Sequence, residues 1–171
     1  MTTRKTGSRK TDRQPQRTSR RSGRPVVILD MDETLLHSTV TRDGVIAKAR
    51  PGVLSFLEQL SDMGFRLVVF SAGAPDYIPL ALRSAGLSGR LRTWRSSRER
   101  NDWSMLEGRP WVLVDNETFS SDIVQTKLKQ LGDVRRVRHV RVSSFFGDGR
   151  DRVLRGLAAD VAERLAEVAD G

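Results

Sequence analysis

Short apolar runs that end abruptly in polar residues set the pattern of this chain. Three of these runs are Val26–Leu29, Phe65–Phe70 and Trp111–Val114. Brief runs rich in β-branched and other large apolar side chains are typical of buried strands in a parallel sheet. Apolar residues recur every three or four positions in Val53–Leu60 and in Leu154–Val168, which predicts helices. The pattern therefore predicts strands and helices that alternate along the chain.

These elements predict an α/β fold class, with a three-layer, Rossmann-like parallel sheet flanked by helices. The stretch from Ser38 to Ala49 alternates in polarity around Asp43-Gly44, which predicts a small β-hairpin flap. No connection is long enough for an inserted domain, so we expect no cap domain over the sheet. Three further elements are predicted: a short edge strand at 90–94, a helix at 121–131 and an arginine-rich strand at 134–142.

Composition narrows the class of protein. With 171 residues, the chain suits one domain with a core of its own. It contains no Cys, which excludes disulfide bonds and thiolate metal sites. No apolar run approaches the roughly 20 residues of a membrane span. We therefore expect no membrane contact and a cytoplasmic location.

The charge is concentrated at one end. Residues 1–24 contain nine Lys or Arg residues against one acid, Asp12, and no Val, Ile, Leu, Phe, Trp or Tyr, whereas the whole chain has a net charge of +9. Such a segment cannot bury apolar surface, so we expect a disordered basic tail at 1–24 and a folded domain at 25–171. The tail could bind nucleic acid through phosphate contacts, or it could be a solvated leader without a specific partner.

Acidic chemistry is predicted where the first strand ends. Asp30 and Asp32 directly follow Val26–Leu29, and ligands of parallel sheets bind just beyond the carboxyl ends of the strands. Two nearby carboxylates repel each other unless a cation lies between them, and hard oxygen ligands on a tight loop suit Mg²⁺. One aspartate could then attack phosphorus, while the other protonates the leaving oxygen and later activates water.

The sequence Asp30-Met31-Asp32-Glu33-Thr34-Leu35 resembles the first motif of the haloacid dehalogenase superfamily. Its continuation, Leu36-His37-Ser38, is similar to the carboxy-terminal-domain phosphatase branch, also known as the NLI-interacting-factor type. This resemblance covers about residues 26–165. It implies that Asp30 is the nucleophile that becomes phosphorylated and that Asp32 is the general acid and base, which also contributes to the metal site.

Two more segments carry the resemblance. Ser71 and Ala72 match the second motif, which implies that they bind phosphoryl oxygens; a serine at a strand end can also simply cap the following helix. Asp115-Asn116 matches the fourth motif. The resemblance thus implies an Mg²⁺ cofactor held by Asp30, Asp32, Asp115 and Asn116, with Asp115 acting as a ligand or orienting Asn116.

The third motif departs from the family pattern. Asn101-Asp102-Trp103-Ser104 resembles it, but Asn101 occupies the position of the lysine that neutralises the nucleophile and the phosphate. No lysine occurs between Lys48 and Lys127. We expect Arg100 to supply the catalytic cation instead and Arg98 to help bind substrate, since arginine is always charged and binds phosphate in bidentate fashion. Alternatively, activity has been lost.

An uncapped site suggests that a bulky substrate closes it. The resemblance favours an Mg²⁺-dependent phosphatase whose partner is a phosphorylated macromolecule, namely a phosphoserine or phosphothreonine protein. The basic tail and the arginine-rich segment favour a polynucleotide-end phosphatase instead. A third alternative, supported by Asn101, is a catalytically inactive binding module on the same fold. The sequence gives no indication of oligomeric state.

Overall fold

The computed structural model describes residues 23–171. The tail predicted at 1–24 therefore lies almost wholly outside the described residues. The strands are β1 Val26–Leu29, β2 Leu36–Thr41, β3 Gly44–Ala49, β4 Arg66–Ser71, β5 Trp94–Ser96, β6 Trp111–Asp115 and β7 His139–Arg141. The helices are α1 Val53–Asp62, α2 Tyr77–Ser84, α3 Asp122–Leu131 and α4 Leu157–Asp170. None of these helices is long and apolar enough to cross a membrane.

The predicted α/β fold is confirmed. Five parallel strands form one sheet in the order β5-β4-β1-β6-β7. Residues that alternate along β1 face opposite sides of the sheet. On one side Val27 and Leu29 pack against α1, α2 and α4. On the other side Val26 and Ile28 pack against α3, which gives the three predicted layers.

The strand register places the polar strand ends together. Strand β1 is completely buried at the centre of the sheet, and Leu29 pairs with Val69 on one side and with Val114 on the other. Asp30 and Asp115 directly follow Leu29 and Val114, and Ser71 lies two residues after Val69. All three therefore lie at one edge of the sheet, where its strands end.

The predicted flap is an antiparallel hairpin of β2 and β3 that turns between Thr41 and Gly44. It packs against α2, and the Ala47 N–H donates to Ser84 Oγ at 2.9 Å. Within residues 23–171, no cap domain is inserted between the elements of the sheet.

Two short edge strands differ from the prediction. The strand expected at 90–94 is β5, which begins at Trp94, because Leu87 and Leu91 are buried in the turn before it. The strand expected at 134–142 is reduced to β7, preceded by a 3₁₀ turn. There, Arg135 and Arg138 both bind Asp133, at 2.8 and 2.9 Å, which bends the chain before it can extend.

A buried arginine connects the loop after β1 to the C-terminal part of the chain. The side chain of Arg50 is inaccessible to solvent, and it donates two hydrogen bonds to the Asp151 carboxylate, at 3.0 and 2.9 Å. A third N–H donates to the Thr34 carbonyl at 3.1 Å, and the guanidinium lies 5.5 Å from the centre of the Phe145 ring. Arg50 thus holds the loop that carries the first acidic motif.

Replacing Arg50 with Leu removes these bonds and leaves the mostly buried Asp151 carboxylate without its partner. We expect the free energy of unfolding to fall by about 3 kcal/mol in urea denaturation, the loss typical of a broken buried pair. Arg90→Leu is the matched control, because Arg90 and Glu58 form an exposed pair at 3.6 Å that contributes little. Equal effects of the two substitutions would contradict the role of Arg50.

Candidate active site

The loop after β1 brings its acidic residues to a cavity at the C-terminal edge of the sheet. The Asp30 N–H still donates to the Val114 carbonyl, at 2.8 Å, and the chain then turns tightly through Glu33, whose φ is +60°. The cavity has a volume of about 160 Å³. The predicted site residues that line it are Asp30, Asp32, Ser71, Ala72, Asp115 and Asn116.

Thr34 fixes two of these residues against each other. Its side chain is completely buried, and its hydroxyl donates to Asp30 Oδ2 at 2.7 Å. The Thr34 Oγ1 atom also accepts a hydrogen bond from the backbone N–H of Asn116 at 3.0 Å. The first and fourth motifs, 82 positions apart along the chain, are thereby held in contact.

A buried lysine lies between the two carboxylates at the centre of the site. The ammonium group of Lys127 donates to Asp30 Oδ1 at 2.6 Å and to Asp115 Oδ2 at 2.7 Å. Its side chain is 1% exposed. The other carboxylate oxygen of Asp115 accepts the Glu117 N–H at 2.9 Å. Lys127 therefore supplies a cation next to the residue predicted as the nucleophile.

The two carboxylates and the ammonium group control one another's charge. Burial raises the pKa of Asp30 to about 6, and the positive charge of Lys127 opposes this rise. Burial alone would lower the pKa of Lys127, but Asp30 and Asp115 outweigh it and raise that pKa above its usual value. Lys127 therefore remains protonated at neutral pH.

Lys127 was not among the residues predicted from the sequence. It lies on α3, whose N-terminus is capped by Ser121 Oγ, the acceptor of the Val124 N–H at 3.2 Å. The buried residues of this helix are Val124, Lys127, Leu128 and Leu131. A lysine in the middle of an apolar helix face is costly to bury unless it is paired. This spacing was the available signal that Lys127 has a buried partner.

The arginines predicted to replace the missing lysine lie elsewhere. Asn101 donates its amide N–H groups to the carbonyls of Ser96 and Glu99, at 2.7 and 2.9 Å, and so stabilises its own loop. Arg98 Nε donates to the Ala72 carbonyl at 2.7 Å, at the rim of the site. Arg100 lines a neighbouring open cavity of about 480 Å³ and, within residues 23–171, makes no ion pair or hydrogen bond with Asp30. The cation in contact with Asp30 is thus a different residue from the predicted Arg100.

Three oxygen atoms, from the side chains of Asn116 and Asp30 and from the backbone of Asp32, converge where β1 ends. The Asn116 side-chain oxygen lies 3.0 Å from Thr34 Oγ1, whose only hydrogen is donated to Asp30 Oδ2, while the Asn116 nitrogen donates to Ser144 Oγ at 3.1 Å. The Asn116 oxygen also faces Asp30 Oδ2 and the backbone oxygen of Asp32, each 3.3 Å away; with the amide turned over, its nitrogen would donate to both. Ligand oxygens around Mg²⁺ lie about 3 Å apart, because each bond is about 2.1 Å long in an octahedron.

The residues present therefore fit Mg²⁺. Residues 23–171 contain no cluster of three His, Asp or Glu side chains that could hold a metal. The three oxygens that converge here are one carboxylate, one amide and one main-chain oxygen. Asp115, by contrast, directs its carboxylate to Lys127 and to the Glu117 N–H.

Asp32 is held by two hydroxyl groups. Its Oδ1 accepts from Ser38 Oγ of strand β2 at 2.9 Å and from the hydroxyl of Tyr77 at the start of α2. The two hydroxyls also contact each other. Burial, together with the hydrogen bond to Asp32, raises the pKa of Tyr77 above the ordinary tyrosine value, so its phenol remains a donor at neutral pH.

Ser71 ends β4 at the edge of the same cavity. Its Oγ is buried and accepts the Gly73 N–H at 2.9 Å. Helix α2 begins only at Tyr77, after Asp76, so Ser71 does not cap it. The alternative that Ser71 serves as a helix cap is therefore wrong. Its hydroxyl hydrogen remains available to an acceptor in the cavity.

Fold and site together define an α/β protein in which a lysine lies between buried carboxylates at the C-terminal edge of a parallel sheet. The family model for NLI interacting factor-like phosphatases matches residues 25–171. The chain therefore belongs to this family of phosphatases, as its motifs predicted. The sequence matches no curated protein.

Solved structures with low sequence identity share the fold. A haloacid dehalogenase-like hydrolase from Xanthomonas campestris has a TM-score of 0.60 and 12% identity, over 88% of this chain and 100% of the other. An uncharacterized protein from Listeria monocytogenes serotype 4b has a TM-score of 0.54 and 19% identity, over 84% and 99%. A candidate beta-phosphoglucomutase from Thermotoga maritima has a TM-score of 0.52 and 16% identity, over 84% and 99%. These similarities place the chain in the fold class of haloacid dehalogenase-like hydrolases.

We expect removal of the Lys127 ammonium group to lower the free energy of unfolding, and a second substitution to restore part of it. We expect Lys127→Met to lower the free energy of unfolding by about 3 to 5 kcal/mol, because it leaves two buried carboxylates without a cation. Adding Asp30→Asn to that variant removes one of these charges and should recover at least about 1 kcal/mol, as a double-mutant cycle in urea can measure. Lys129→Met, an exposed change on the same helix, is the control. Full additivity would contradict the coupling.

Proposed function

We propose that this member of the phosphatase family is an Mg²⁺-dependent phosphomonoesterase that acts through an aspartyl-phosphate, with a phosphoserine or phosphothreonine protein as substrate. The observation that carries the proposal is the position of Lys127, 2.6 Å from Asp30 and 2.7 Å from Asp115. A buried cation allows Asp30 to remain ionised beside a second carboxylate. An ionised Asp30 is a nucleophile next to the charge that a phosphoryl group requires.

In the first step, the carboxylate of Asp30 attacks phosphorus, and the bond between phosphorus and the leaving oxygen breaks. Asp32 donates a proton to that oxygen, which leaves as the alcohol of a serine or threonine side chain. In the second step, Asp32 takes a proton from water, the water oxygen attacks phosphorus, and the aspartyl–phosphate bond breaks. Inorganic phosphate is released and Asp30 is restored.

The equatorial oxygens of the phosphoryl group need donors. Ser71 can donate its hydroxyl hydrogen, and Ala72, which lines the same cavity, can offer its backbone N–H. Lys127 neutralises the charge that develops in the transition state, which is usually the main part of catalysis in phosphoryl transfer. Arg98, fixed at the Ala72 carbonyl, is placed to attract the anionic substrate at the entrance.

Asp30, Asn116 and the backbone oxygen of Asp32 would hold Mg²⁺. Bound there, Mg²⁺ supplies positive charge to the transferring phosphoryl oxygens. Asp115 would act indirectly, because its carboxylate orients Lys127. The metal is thus proposed to be held by Asp30, Asp32 and Asn116 from the predicted set of four.

The open site supports a macromolecular substrate. Within residues 23–171 no cap domain is inserted between the elements of the sheet, so the substrate's own surface would have to exclude water. A phosphoprotein agrees with the family, and a cytoplasmic location and a phosphorylated partner remain part of the proposal. The main support for an inactive binding module was the absence of a lysine at Asn101. Lys127 weakens that support, because it places a cation beside Asp30 from helix α3.

Hydrolysis of 4-nitrophenyl phosphate by the purified protein tests the reaction. We expect turnover in Mg²⁺ that EDTA abolishes and that Mg²⁺ restores, and we expect Asp30→Asn to lower it by about 1,000-fold or more, because the nucleophile is lost. Asp62→Asn, an exposed change on α1, is the matched control. A phosphoserine peptide then tests the proposed substrate class. Turnover that is equal in wild-type protein and Asp30→Asn would contradict the mechanism.

The same assay identifies the catalytic cation. We expect Lys127→Gln to lower kcat by about 100- to 1,000-fold, the effect typical of removing one donor to a developing oxyanion. Arg100→Gln should lower it less than about threefold, and Lys129→Gln should leave it unchanged. Activities are compared per folded molecule, measured by circular dichroism. A large loss in Arg100→Gln with little loss in Lys127→Gln would return this role to the predicted arginine.

A further inference from the structure

Three separate elements meet at one carboxylate oxygen. Asp32 comes from the loop after β1, Ser38 from the hairpin and Tyr77 from the first turn of α2. Both hydroxyls donate to Asp32 Oδ1, from Ser38 at 2.9 Å. Within residues 23–171 the other oxygen, Oδ2, accepts no hydrogen bond from the protein. The carboxylate is therefore held from one side only.

The position of the Tyr77 ring depends on its neighbours. Tyr77 is the only tyrosine of the chain, and its ring lies against Gly73. A Cβ atom at Gly73 would lie 2.6 Å from the ring and 3.1 Å from Ser71 Oγ, so only glycine allows this approach. The hairpin that carries Ser38 is itself bound to α2 through Ala47 and Ser84. The two hydroxyls are thus held in a fixed relation to each other.

This arrangement determines which oxygen of Asp32 can reach a leaving group. Oδ1 is occupied by the two hydroxyls, whereas Oδ2 accepts no hydrogen bond from residues 23–171, so Oδ2 is the oxygen that can face the leaving oxygen. A general acid must present its proton within hydrogen-bond reach of the leaving oxygen, and the clamp at Oδ1 sets the direction in which Oδ2 points.

We propose that Tyr77 and Ser38 are positioning residues that orient Asp32 as the general acid, so that the hairpin and α2 together complete the acid function. The inference rests on the proposed phosphatase function and deepens it. Neither residue needs to contact the substrate. Their removal should impair only those reactions in which the leaving oxygen requires a proton.

Leaving groups of different basicity test this role. Phenyl phosphate releases an alcohol about as basic as tyrosine and needs a proton, whereas 4-nitrophenyl phosphate releases a far weaker base and needs little help. The two compounds are similar in size. The kinetic constant compared is kcat/KM, which reports the steps up to the transfer of phosphate to Asp30 and is independent of the later hydrolysis.

We expect Tyr77→Phe to lower kcat/KM by about tenfold on phenyl phosphate and by less than about threefold on 4-nitrophenyl phosphate. Ser38→Ala should show the same pattern, and Ser38→Thr, which keeps the hydroxyl, should restore the wild-type ratio. Asp32→Asn should show the largest effect, about 100-fold on phenyl phosphate. Adding Tyr77→Phe to Asp32→Asn should then change nothing further.

Thr39→Val is the matched control, because it removes an exposed hydroxyl from the neighbouring position of β2. Urea unfolding of each variant shows that the fold is intact. Equal losses on both substrates in Tyr77→Phe and Ser38→Ala, or no loss while Asp32→Asn discriminates between them, would overturn the positioning role and leave the phosphatase function standing. No Asp30-dependent hydrolysis by the wild-type protein would overturn both.

Discussion

The pairing of the Lys127 ammonium group with Asp30 and Asp115 is the interaction on which the site depends. Both carboxylates are almost completely buried, and their like charges would repel each other if no cation lay between them. A lone ammonium in the same place would be equally costly. The three groups are therefore stable as charges only together. This mutual dependence places the proposed nucleophile and a cation in contact before any substrate arrives.

The parallel sheet makes this arrangement possible. Three neighbouring strands end at one edge, so residues far apart in the sequence lie within hydrogen-bond distance there. Thr34 adds a neutral connection between the first and fourth motifs, and Arg50 holds the same loop through the Thr34 carbonyl. The loop is thus fixed through both the side chain and the main chain of Thr34, which suits a site whose geometry must not relax when charge develops.

Much of the fold could be predicted because its signals are local. The buried runs of β1, β4 and β6 and the turn at Asp43-Gly44 each stand out in a few consecutive residues, and so do the polar groups that follow the strands. The edge strands could not be placed, because β5 and β7 have only three residues each and depend on distant contacts. The turn before β7, for example, depends on the ion pairs of Asp133.

The site was harder to predict where it depends on tertiary contacts. Motif spacing indicated where a cation was missing, but the replacement lies on α3, 97 positions from its partner Asp30. The proposed chemistry requires a positive charge at Asp30, and any element that reaches the carboxyl edge of β1 can provide it. Helix α3 packs on the face of the sheet next to β1 and β6. A single lysine on the apolar side of this helix is therefore sufficient to place a cation at that edge. The Asn101 side chain is then available to donate hydrogen bonds to carbonyl groups of its own loop. This explains how the third motif can be present here without its lysine.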